Sequence, residues 1–150
     1  MVRGIPLSGG EMKKSDKLKG QVWKLFSRYI RLRDCLKTTG TPDSGKCVSC
    51  GKEFNIKETD AGHFIAGRGN SILFDEKCCH LQCKKCNLFL NGNQLPYRRA
   101  IVQMYGKGYD EYLERKAKQV RQFKTWELEA MKEMYRDKIK DLETRGVDAL

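Results

Sequence analysis

Four cysteines fall into two Cys-x-x-Cys pairs, Cys47/Cys50 and Cys83/Cys86, and the chain's only two histidines, His63 and His80, lie between them. A Cys-x-x-Cys turn aims two thiolates at one point, so two such turns can complete a tetrahedral zinc site. The 32 residues between Cys50 and Cys83 exceed the ~15–20 of a plain zinc ribbon, which leaves room for a hairpin that carries chemistry. Buried thiols or disulfides are the alternative. The opening residues, MVRGIPLSGG, lack the apolar run of ~7–15 residues of a secretory signal. A reducing compartment disfavours disulfides, so the expectation is a structural Zn²⁺ in a cytoplasmic protein. Cys35, Cys78 and Cys79 form no such pair and are left out of the site.

Charge adds a partner class. The 150 residues carry a net charge of +11, and a polyanion binding such a surface releases counterions. Nucleic acid is the leading partner and an anionic membrane surface the weaker one. Residues 1–40 carry +7, residues 41–92 carry +1 and residues 93–150 carry +3, so the near-neutral cysteine segment is flanked by basic arms. No window approaches the ~18 consecutive apolar residues of a membrane span. With 39% hydrophobic residues the chain can build one domain with a small core, helped by metal-driven folding.

The elements that must position these residues are mostly helical. Residues 1–14 read as a flexible basic tail. From Ser15, a plausible N-cap, to Lys37, apolar Val22, Leu25, Tyr29, Leu32 and Leu36 recur at helical steps, with Trp23, Phe26 and Ile30 widening the face and a basic stripe opposite. Residues 38–46 are a connector. Short strands are expected around His63–Ala66 and Ile72–Phe74, joined by a Gly67–Asn70 turn. The second knuckle then opens a helix that stops near Asn91-Gly92. Pro96 begins a helix ending at Gly106, a short helix follows over 109–120, and Thr125 caps a long one. That last helix reads as an antiparallel partner of the first, or as a dimer seam. The expected fold is α+β and mostly helical. A zinc-tied β-β-α core over 47–92 sits between the N-terminal helix and C-terminal helices over 96–145, in one domain from residue 15 to 150.

A histidine ending a strand, a hairpin, and a helix beginning Cys-x-x-Cys-Asn resemble the HNH, or ββα-metal, nucleases. The stretches CVSCG, DAGHF, FDE, HLQCKKCN, GN and PYR together are similar to the NinG family of phage recombination proteins, also called Rap, which act as endonucleases on branched DNA. The resemblance implies that His63 is the general base activating water, against a purely structural hairpin histidine. It implies that the Asn87 amide helps hold a catalytic Mg²⁺ or Mn²⁺, against a mere helix-start hydrogen bonder. His80 is open between metal ligand and hydrogen bonder to one. Many HNH enzymes have an acid just before the histidine; here that position is Gly62, and Asp60 can join the metal only through a bulge. Cys78 stands where the middle asparagine is expected.

The resemblance further implies Holliday junctions or D-loops as substrates, 5′-phosphate and 3′-hydroxyl ends, a phage-encoded protein in the bacterial cytoplasm, and a homodimer for symmetric cutting. Arg68, Lys84, Lys85, Arg98 and Arg99 are the candidate DNA contacts. The rival expectation is a zinc-stabilised DNA-binding accessory protein without catalysis, in which His63 only packs.

Overall fold

The computed structural model describes residues 13–150, so the basic tail expected over 1–14 lies outside the described residues except for its last two. Helix α1 (Lys14–Thr39) starts one residue before Ser15, has Lys13 at its cap, and buries Leu18, Val22, Phe26, Ile30, Leu32 and Leu36. It stops at Gly40, whose φ of 77° lets its N–H close on the Leu36 carbonyl at 3.0 Å. An antiparallel hairpin follows, β1 (Ser44–Lys46) with β2 (Glu53–Asn55), and its connection carries the first knuckle.

The central pair is β3 (Thr59–His63) with β4 (Cys79–Cys83), antiparallel and in regular register, His63 opposite Cys79 and Thr59 opposite Cys83. This corrects both expected strands: the first runs over Thr59–His63 and ends at His63 rather than starting there, and its partner is Cys79–Cys83 rather than Ile72–Phe74. Ile72–Phe74 instead contributes to α2 (Asn70–Leu73), whose Ile72 packs with Phe64, Tyr97, Ile101 and Leu113. A short apolar run suits a buried turn of helix as well as a strand. Cys-His-Leu-Gln-Cys wins the pairing because all five of its residues are buried, covered on both faces.

Helix α1 also closes the far edge of β4. Asp34 accepts the Leu81 N–H at 2.8 Å, while Arg33 donates to the Glu76 carbonyl at 2.7 Å and the Cys79 carbonyl at 3.0 Å. The two side chains are themselves paired at 2.8 Å and buried, so each charge has a partner where water cannot supply one. After β4 comes a π-helical turn, Lys85–Phe89, then α3 (Gln94–Tyr105), α4 (Tyr109–Ala117) and α5 (Thr125–Arg145).

Helix α5 begins with Lys124 at its cap rather than Thr125, and Glu127 accepts the Lys124 N–H at 2.8 Å. It packs on α1 within the chain: Leu128 and Tyr135 join Val22 and Phe26, and Ile139 and Leu142 join Leu32 and Leu36. The pairings Lys14 with Glu129, Gln21 with Lys132 and Arg28 with Glu143 ascend together along both helices. The two helices therefore run parallel, not antiparallel as expected. The intervening α3 and α4 return the chain far enough for α5 to start beside the beginning of α1.

Candidate functional site

The β1–β2 connection and the end of β4 bring the two knuckles together. The four sulfurs of Cys47, Cys50, Cys83 and Cys86 lie within 4.8 Å of one another, with Cys50 and Cys83 at 3.9 Å. Zinc–sulfur bonds of about 2.3 Å in a tetrahedron set sulfurs about 3.8 Å apart, so the cluster fits such an ion. The surroundings suit thiolates as well: the Cys50 N–H lies 3.5 Å from the Cys47 sulfur, the Cys86 N–H 3.4 Å from Cys83, and the Asn93 amide 3.4 Å from Cys86. Burial, and then the neighbouring thiols, push Cys86 up to about 12 and also raise Cys50. Cys86 and Cys50 thus resist ionising, whereas burial of Cys47 is outweighed by hydrogen bonds to its sulfur that lower it; a central dication would remove the penalty on the first two.

Beside this cluster an open cavity of about 600 Å³ is lined by Trp23, Asp60, His63, Arg68, Lys84 and Asn87 among others. Four segments supply them. β3 contributes Asp60 and His63, the loop between β3 and α2 contributes Arg68, the second knuckle and the residue after it contribute Lys84 and Asn87, and α1 contributes Trp23. Asp60 accepts from Lys84 Nζ at 2.6 Å and from Asn87 Nδ2 at 3.1 Å. Asp60 and His63 thus border one cavity although β3 has no bulge.

His63 is held on two sides. Its ring stacks on Trp23 at a centroid distance of 5.3 Å and an interplanar angle of 22°, and its Nε2 lies 2.9 Å from the Leu73 carbonyl. A carbonyl only accepts, so Nε2 carries the proton and Nδ1 is left as the basic nitrogen. Burial lowers the pKa of His63 below its usual 6.5; the Leu73 carbonyl opposes that shift, Arg68 adds to it, and Asp75 opposes it. The ring is neutral at neutral pH. Arg68 in turn lies over the Trp23 ring, 4.1 Å from its centroid.

Gly62 has a local cause. A Cβ there would meet Gln82 Oε1 at 2.0 Å, and Gln82 is fully buried, donating to Ser49 Oγ at 2.9 Å and to the Gly92 carbonyl at 2.7 Å. An acidic side chain at position 62 would have to displace the buried Gln82 amide from Ser49 and Gly92. His80 lies opposite Gly62 and does not line the cavity. Tyr105 donates to His80 Nε2 at 2.7 Å, Nδ1–H donates to Tyr97 Oη at 3.1 Å, and Tyr97 donates to the Gly62 carbonyl at 2.6 Å. With both nitrogens engaged and burial taking its pKa to about 4, His80 serves as a neutral link between α3 and the residue before His63. Of its two expected roles the geometry favours the hydrogen bonder over the metal ligand.

Cys78 is buried, its thiol pushed up to about 11 by burial. The loop before β4 is held by Asp75 instead, which accepts the N–H groups of Lys77 at 2.9 Å and Cys78 at 3.0 Å and pairs with Lys116 at 2.5 Å. Among the expected DNA contacts, Arg68 and Lys84 line the cavity, and Lys85 and Arg99 are exposed. Arg98 differs: Asp110 at 2.6 Å and Glu114 at 2.9 Å engage one of its nitrogens and join α3 to α4, so its charge is already compensated. Sequence reasoning missed Trp23, Gln82 and Asp75. Trp23 sits on an apolar helix face where core packing is the ordinary explanation, and no spacing marks the other two.

Residues 9–145 match the family model described as "Bacteriophage Lambda NinG protein". Protein ninG of Salmonella phage P22 is 35% identical over 97 residues, 64% of this chain and 47% of that protein. Protein ninG of Escherichia phage 933W is 32% identical over 104 residues, covering 69% and 51%, and that of Escherichia phage lambda is 31% identical over 107 residues, covering 69% and 50%. The chain thus spans about half the length of the curated relatives it matches. No solved structure matches it significantly.

Proposed function

The chain belongs to the NinG family, and from that membership and the residues gathered at the cavity we propose that it is a metal-dependent DNA endonuclease built on a ββα-metal core. The observation that carries this reading is the state of His63: neutral, with Nε2 fixed by the Leu73 carbonyl and Nδ1 as its basic nitrogen, on the same cavity as Asp60 and Asn87. His63 Nδ1 takes the proton from the attacking water, while Trp23 and Leu73 hold the ring in place. Arg68 supplies positive charge where a phosphodiester would lie, and Lys84, 2.6 Å from the Asp60 carboxylate, would join it once a dication takes that carboxylate.

Asp60 and Asn87 offer hard oxygen donors, the set that suits Mg²⁺ or Mn²⁺. A dication held there supplies neutralisation of charge on the phosphate and on the departing 3′ oxygen, leaving 5′-phosphate and 3′-hydroxyl ends. The substrate is branched DNA of recombination, Holliday junctions or D-loops, in the cytoplasm of a phage-infected bacterium; this part rests on the resemblance to the family. A homodimer suits symmetric cutting, and it needs a surface other than the apolar faces of α1 and α5, which are buried against each other.

One observation favours a second reading, a zinc-stabilised DNA-binding accessory protein: Lys84 sits on the Asp60 carboxylate and Gly62 offers no acid. Cleavage assays on Asp60→Ala and Asn87→Ala decide between them. Each substitution is expected to lower Mg²⁺-dependent cleavage by about 10²-fold or more, the scale of removing one electrostatic stabiliser, while zinc content and DNA binding persist. Cleavage unchanged in both variants would remove these residues from catalysis.

A further inference from the structure

Just after the second knuckle the chain exposes three large apolar side chains in succession, Leu88 at 58%, Phe89 at 79% and Leu90 at 45% of full accessibility. A single exposed leucine needs no explanation, but a contiguous apolar group does. This one stands on a braced support. The turn Lys85–Phe89 closes with the Leu90 N–H on the Lys85 carbonyl at 2.9 Å and the Gly92 N–H on the Cys86 carbonyl at 2.8 Å, and Cys86 belongs to the four-cysteine cluster.

The surroundings of the group indicate what covers it. Leu88 lines the same cavity as His63, Asp60 and Arg68, and Lys84 and Lys85, both exposed, stand in the knuckle four and three residues before it. An apolar knob bordered by ammonium groups complements a molecule with anionic rails and apolar faces between them, which is the make-up of DNA whose bases have come unstacked. A branch point has already lost stacking, so opening a step costs least there.

We propose that Leu88, Phe89 and Leu90 form a wedge that enters between unstacked bases at a DNA branch, with Lys84 and Lys85 on the adjoining phosphates. The wedge rests on the reading that the cavity acts on DNA and deepens it: the chain selects its substrate by an opened base step next to the bond it cuts, not by base sequence.

The test uses the full chain with its zinc, a four-way junction carrying 2-aminopurine beside the branch, and a linear duplex with the same base at the same place, all in Ca²⁺ in place of Mg²⁺. The intact protein is expected to brighten the junction probe and leave the duplex probe unchanged. Phe89→Ala, with zinc content and thermal midpoint unaltered, is expected to abolish the brightening and to weaken junction binding about tenfold, the scale of losing one stacking contact, without changing duplex affinity. Phe89→Trp restores both, and Lys85→Ala weakens binding to both DNAs alike.

Unchanged fluorescence and affinity in Phe89→Ala overturn the proposal, as does failure of the intact protein to bind the junction. If Phe89→Ala instead turns a dimer into a monomer in sedimentation with the probe signal intact, the patch belongs to a second copy and the wedge is wrong. Cleavage in Mg²⁺ is scored separately. Loss of the wedge with cleavage intact leaves the endonuclease standing, and probe brightening without cleavage leaves a DNA binder that uses the wedge.

Discussion

His63 owes its chemistry to what surrounds it. A free imidazole near pH 6.5 is half protonated; burial, with Arg68 reinforcing and the Leu73 carbonyl and Asp75 opposing, moves this one down. A base works in its neutral form, so under the proposed nuclease reading activity is expected to rise with pH through the lowered pKa and to be flat through neutrality. The acidic limb of kcat/KM is therefore expected to have its midpoint below 6.5, and Arg68→Ala is expected to move that midpoint up. A limb centred above pH 7 would mean that another group is the base. The resemblance to the HNH nucleases singled out His63, Asp60 and Asn87, and the fold brings all three to the border of one cavity. Trp23 was not legible, since its partner ring lies 40 positions along the chain and an aromatic on an amphipathic helix reads as core.

At the scale of elements, β3 and β4 are fixed from both faces, by α1 on one side and by the tyrosines of α3 on the other. His80 carries part of that fixing and makes it pH-dependent. Asp34, Arg33, Lys37 and Asp75 act on it, but burial dominates and holds its pKa at about 4. With the folded pKa below the unfolded value near 6.5, its contribution is present above pH 6.5 and is lost as pH falls from there toward 4. Urea unfolding is expected to show the intact protein losing about 3 kcal/mol more than His80→Leu between pH 7 and pH 4. Equal losses would show that His80 protonates freely in the folded state. The helices were readable from their apolar steps. The strand partner was not, because choosing between Ile72–Phe74 and Cys79–Cys83 depends on burial by α1 and α3, elements distant in sequence.

Across the whole molecule, the metal cluster and the helix pair divide the work. Helices α1 and α5 bury an apolar seam without any metal, whereas the cysteine cluster packs with little besides Phe54. Zinc removal is thus expected to unfold the middle of the chain while helical signal from α1 and α5 partly survives, checked by circular dichroism and metal analysis before and after chelation. Protein that is stably folded without any metal would contradict this. The parallel run of α1 and α5 was illegible from sequence, where apolar stripes fix which faces meet but not the direction in which they run.

The central claim is that this cavity cuts DNA with His63 as base, and the most direct measurement is Mg²⁺-dependent cleavage of a labelled four-way junction beside a linear duplex of the same sequence, with the intact protein and with His63→Ala. Junction cuts by the intact protein, leaving 5′-phosphate ends, are expected to vanish in His63→Ala while junction binding and zinc content persist. Binding by both proteins with no cleavage in Mg²⁺ or Mn²⁺, or equal cleavage by both, would contradict that claim.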